Sequence, residues 1–101
     1  MASRLELNDK LTSILATEDV YFQPPESIEM HYPAIVYQLN TMDVKHADNR
    51  KYAGMTGYQV TLIDYDPDSS FVSEIHQMRY CQFDRFFTTN NLNHWVFTLY
   101  F

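Results

Sequence analysis

Cys81 is the single thiol of the chain, and His76 stands five residues before it. A thiol nucleophile needs a base beside it and a third group that orients the base. On a helix, a spacing of five puts the two side chains on different faces, and no residue is placed to orient His76. Cys81 therefore reads as a structural cysteine at the end of a helix. Metal ligation is the next chemistry to weigh. His46 with Asp48, and Glu74 with His76, are pairs of ligand types, but neither belongs to a larger cluster with zinc-site spacing. Both read as solvated surface groups. The run "DYDPDSS", from Asp64 to Ser70, starts like an acidic calcium loop. It lacks the central glycine, and Ile75 stands where the bidentate glutamate belongs, so it reads as a turn and helix cap. There is no glycine-rich phosphate loop and no Ser/His/Asp pattern. These residues point to no catalytic, metal or cofactor site, and the chain reads as a non-enzyme.

The elements that hold these residues follow from hydrophobic spacing. In "SRLELNDKLTSILAT", Leu7, Leu11, Ile14 and Leu15 fall on one helical face. Ser3 and Glu6 have the spacing of a capping box. "DVYFQ" predicts a short strand ended by Pro24 and Pro25, and "PPESIEMHYP" an extended loop. "AIVYQLNTM" and "YQVTLIDY" alternate as strands: Ile35, Tyr37 and Leu39, then Tyr58, Val60 and Leu62, point one way. Between them "VKHADNRKYAGMTG" is polar and about a dozen residues long, a length that marks a functional or disordered loop. Asp68 or Ser69 can cap a helix over "SFVSEIHQMRY", with Phe71, Ile75 and Met78 as its buried stripe. "FDRFFTTNNLNHWVFTLYF" reads as two strands around asparagines suited to a hairpin turn.

The order is thus α-β-β-β-α-β-β in one domain, residues 1–101. The predicted fold class is α+β: a mostly antiparallel four- to five-stranded sheet with two helices packed on one face. The last strand, expected at an inner position, sends Trp95, Phe97, Leu99 and Phe101 to the core. His94, Val96, Thr98 and Tyr100 go to the other face. If helices cover one face only, Val36, Ile63, Val96 and Tyr100 have no partner within the domain, and an exposed apolar sheet face marks an interface.

Bulk composition limits the function classes. A chain of 101 residues is long enough for one core. Eight Tyr, seven Phe and one Trp make it rich in the residues that serve both small cores and interfaces. The formal charge is -6 and no basic cluster occurs, so the footprint of a nucleic-acid binder is missing. No apolar run approaches the ~18 residues of a membrane span, and no signal peptide is visible, which suits the cytoplasm.

The stretches "YPAIVYQLN", "ADNRKY", "YQVTLIDYDPDS" and "FDRFFTTNNLNHWVFTLYF" resemble the tail completion, tail terminator or head–tail joining proteins of tailed bacteriophages and prophages. The resemblance spans about residues 20–101. Its strongest marker is "NNLNH" followed by "VFTLYF", with Asn90 where an acidic residue is expected. The family likeness implies a structural virion protein at the head–tail interface, made in the host cytoplasm. It implies a homo-oligomeric ring, typically hexameric, that caps the tail tube, ends its growth and joins a head-closure or connector protein. DNA would pass through such a ring without being specifically bound, and no membrane is involved.

Rings are built from heterologous contacts, two different patches meeting head to tail. The candidate interface is Val36, Ile63, Val96 and Tyr100 on the sheet, with Lys45, His46, Asp48, Arg50, Lys51 and Tyr52 in the long loop. Acidic groups drawn from Glu6, Asp9, Glu18, Asp19, Asp64, Asp66, Asp68 and Glu74 would repel DNA if they faced a lumen. Two other readings stand beside this one. A head-closure or adaptor protein shares size, acidity and ring habit. A small α+β ligand- or peptide-binding module would use an aromatic pocket with convergent polar groups.

Overall fold

The computed structural model describes residues 4–25, 28–40 and 55–101. Helix α1 (Arg4–Leu15) buries Leu7, Leu11 and Leu15, one residue per turn. Its proposed capping residue, Ser3, lies outside the described residues. It stops at Ala16, whose φ of 61° leaves the helical region while its N–H still bonds the Thr12 carbonyl at 2.8 Å. Then follow β1 (Val20–Phe22), β2 (Ala34–Leu39), β3 (Gly57–Asp64), α2 (Phe71–His76), β4 (Cys81–Thr89) and β5 (Leu92–Tyr100), the predicted order of elements.

The five strands lie in the order β1-β2-β3-β5-β4. The sheet is mixed, not mostly antiparallel. β1 pairs parallel to β2, with Val20 beside Ile35 and Phe22 beside Tyr37, while the other three neighbours are antiparallel. The chain leaves β3, crosses through α2 and lays β4 on the outer edge, and the hairpin return then fills the vacant place with β5. β5 is accordingly an inner strand. At its end Phe101 exchanges two 3.0 Å backbone hydrogen bonds with Thr56.

Helix α2 is shorter than "SFVSEIHQMRY" suggests. Its cap is Ser70, without a side-chain hydrogen bond, and not Asp68 or Ser69. The Asp68 N–H bonds Asp66 Oδ1 at 2.9 Å, and the Asp66 N–H bonds Asp64 Oδ1 at 3.1 Å. The carboxylates of "DYDPD" thus serve consecutive turns, which is the turn part of the role read from the sequence and not the helix-cap part. The helix ends early because Tyr80, at φ 60°, turns the chain into β4.

One core sits between the sheet and both helices. Leu7, Leu11 and Leu15 of α1 and Ile75 of α2 pack on Ile35, Tyr37, Tyr58, Val60, Leu62, Trp95, Phe97 and Leu99. One row crosses all five strands on this face: Phe22, Tyr37, Val60, Phe97 and Phe83. Its ring pairs meet at tilted or edge angles, Phe22–Tyr37 at 5.0 Å and Phe83–Phe97 at 5.6 Å.

The opposite face corrects the sequence expectation. Ile63 is only 7% exposed and Val96 only 1%, and Ala34 and Thr98 are buried beside them. Both central residues sit on inner strands, β3 and β5. Ile63 lies between Ala34 and His94, and Phe87 stacks on His94 at 4.5 Å. Val96 lies between Thr61 and Arg85. Val36 and Tyr100 are half-buried, and the Tyr100 ring lies over Gly57, where an added Cβ would come within 3.2 Å of it. This face is therefore not an open apolar patch.

Candidate functional site

The residues that could form a site are best sought on β4. Residues 82–89 of this strand are all exposed, although the strand is nine residues long and runs along the open edge of the sheet. An edge strand presents unpaired N–H and C=O groups, and a long apolar one invites pairing. Phe83 is 42% exposed, Phe86 48% and Phe87 38%.

A local irregularity sets where these rings point. The β4–β5 ladder runs from Cys81–Leu99 to Phe83–Phe97, slips, and resumes at Arg85–Val96 and Phe86–Trp95. Asp84 is the extra residue of a β-bulge. It accepts a short hydrogen bond from the Thr98 hydroxyl, which places it with Arg85 on the face away from the helices. Phe83 and Phe86 both lie on the helix-bearing face, against Phe97 and Trp95. Helix α2 is too short to cover them. A groove of about 270 Å³ remains there, lined by Val72, His76, Phe83, Trp95 and Phe97. It is shallow and apolar, and no set of polar groups converges in it.

The other positions singled out by sequence fall as follows. Lys45, His46, Asp48, Arg50, Lys51 and Tyr52 lie outside the described residues. Ile63 and Val96 are buried within the chain. Val36 and Tyr100 are half-buried on that same face. Asp64 is buried as well and bonded into its turn, which removes it from any group of lumen carboxylates.

Cys81 is the first residue of β4 and is half-buried, not at a helix end. Burial, and then the negative charge of Asp84, push its thiol up to about 11, so it is protonated and a poor nucleophile near neutral pH. Burial also raises the Tyr58 and Tyr21 hydroxyls above their ordinary value. Among the described residues no three His, Cys, Asp or Glu side chains come together as metal ligands. Among the same residues no helix is long and apolar enough to cross a membrane.

Sequence reasoning missed Phe83, Phe86 and Phe87 as surface residues. The signal was present in the crowded aromatics of "FDRFF", but it means exposure only once β4 is known to be an edge. Comparison of the chain with protein-family models, with curated proteins and with solved structures finds no match.

Proposed function

We propose that the protein is a structural component of a tailed bacteriophage or prophage. In this reading it forms a ring at the head-proximal end of the tail tube, ends tube growth and joins tail to head. The observation that carries an assembly role is the exposed aromatic edge: Phe83, Phe86 and Phe87 on a nine-residue open strand. Aromatic residues at such a surface anchor protein–protein contacts. The groove beside them lacks the convergent polar groups that orient a small molecule, which supports a protein contact at this edge.

The phage context rests on the sequence resemblance over residues 20–101. Net charge of -6 agrees with a ring through which DNA slides without binding. The two sheet edges are unlike, a three-residue β1 and a nine-residue β4, and unlike patches are what head-to-tail contacts require. The partners are then further copies of this chain, the tail tube protein and a head-closure protein.

Electron microscopy of an induced lysate lacking this gene tests the reading. Full heads beside separate, partly overlong tails are expected. Normal-length tails with empty or leaking heads would transfer the role to head closure. Intact virions would remove both.

A further inference from the structure

We propose that the free protein is a two-fold dimer in which β4 pairs antiparallel with β4 of a second copy, Asp84 facing Arg85 of the other chain. The occupant is set by the register that the bulge permits. Asn90 and Asn91, at φ 53° and 62°, form the tight two-residue turn whose closing pair, Thr89–Leu92, is hydrogen-bonded. Bonded and non-bonded pairs alternate along an antiparallel ladder. Phe87 and Arg85 therefore bond toward β5, and Thr88 and Phe86 turn their backbone groups to the open edge. Beyond the bulge the phase is fixed again by Tyr100 N–H bonding the Tyr80 carbonyl at 3.1 Å. Gln82 then bonds inward, and Cys81 and Phe83 face outward.

The outward set is Cys81, Phe83, Phe86 and Thr88. A two-fold axis between Asp84 and Arg85 pairs Phe83 with the second copy's Phe86, and Cys81 with its Thr88. In this register all four outward residues find partners, the two bulges lie side by side with each Asp84 opposite an Arg85, and every pair shares a face. On the helix-bearing face, Phe83 and Phe86 meet their counterparts as cross-strand aromatic pairs. On the other face each Asp84 meets an Arg85, and Arg85 has no ion-pair partner of its own among the described residues. Bulges and charges on an edge commonly block strand pairing; here the two opposite charges are adjacent, so an antiparallel copy of the same edge neutralises both. The contact uses one patch twice and closes at two copies. It does not rest on the tail-end reading, and growth of a ring would have to part it.

Sedimentation equilibrium of the purified full chain tests this. A species of twice the 12.0 kDa chain mass is expected, with a dissociation constant on the order of micromolar, the low end for specific interfaces. Arg85→Asp opposes like charges at both pairs and should weaken association about tenfold or more; Asp84→Arg combined with Arg85→Asp should restore most of it. A second variant, Thr88→Cys, does not depend on charge. Cα atoms of bonded antiparallel partners lie about 5.5 Å apart, within disulfide range. Mild oxidation should therefore link Cys81 to position 88 of the second copy. A monomer at every concentration overturns the proposal. So does a dimer that neither responds to charge reversal nor cross-links through Thr88→Cys. These readouts use purified protein alone, so failure of the dimer and failure of the tail-end reading are separate results.

Discussion

Tyr37→Phe tests how α1 is fastened to the sheet. Tyr37 is fully buried in the row that crosses the sheet, and its hydroxyl reaches out of the core to the helix. It donates to Asn8 Oδ1 at 2.7 Å and accepts from Arg4 Nη1 at 3.4 Å. Removing the hydroxyl leaves the ring in place against Phe22 and Tyr58, at 5.0 and 6.0 Å, so no cavity term arises. The loss is one good hydrogen bond, about 1 kcal/mol, plus a small contribution from the long contact. Asn8 is half-exposed, so water can replace the hydroxyl and the full penalty for a buried orphan does not apply. A domain of this size should lose about 4–8 °C in Tm for that energy. Urea titration followed by the fluorescence of Trp95, the one tryptophan, measures it directly. Asn8→Ala should cost a similar amount, and the double variant little more than either single one. A loss below about 0.3 kcal/mol, or strict additivity in the double variant, would show that the bond does not fasten the helix.

Three further outcomes are expected. Leu11→Ala, at a fully buried position, should destabilise by about 2–5 kcal/mol, while Leu5→Ala on the same helix, 65% exposed, should stay within about 0.5 kcal/mol in the same titration. The Cys81 thiol has its proton held more tightly folded than unfolded; its stabilising share is complete below about pH 9 and is lost as pH rises toward 11. Cys81→Ser should flatten that part of the alkaline stability profile, and the raised tyrosines steepen the decline above it in both proteins. At the hairpin, Asn91 sits at φ 62°, so Asn91→Gly should be close to neutral and Asn91→Ala should cost roughly 1 kcal/mol, read from the urea midpoint.

Periodicity revealed the elements because each is written locally. The four-residue spacing of Leu7, Leu11 and Leu15 names a helix face, and the alternation of Tyr58, Val60 and Leu62 names a strand face. The asparagines of "TNNLN" flagged a hairpin turn, and the structure sets it at Asn90 and Asn91. Alternation tells which way a side chain points but not which strand stands beside it. The parallel docking of β1 and the insertion of β5 between β3 and β4 depend on pairings far apart in sequence, so the mixed sheet and its order were not legible. The same ignorance misjudged the sheet face turned away from the helices. Val96 and Ile63 look exposed when only the helices are counted as cover, yet both are buried within the chain. Phe83 and Phe86 carry no mark of exposure until β4 is found on the edge.

The bulge explains why no simple pattern could have flagged that edge. Phe83 and Phe86 are three residues apart, and in an unbroken strand odd spacing sends side chains to opposite faces. Read strictly, one ring is core and the other surface, and neither position is unusual. The extra residue, Asp84, removes that opposition and sets both rings on the helix-bearing face, beyond the reach of a six-residue α2. The same insertion turns Asp84 and Arg85 together to the other face. A single added residue thus creates an aromatic pair on one side and an adjacent pair of opposite charges on the other. An edge built only to resist pairing would need the charge and the bulge but not two exposed phenylalanines. An edge built for indiscriminate pairing would need the rings but not the charges. Both are present, arranged about one point of the strand, as the proposed β4–β4 dimer requires.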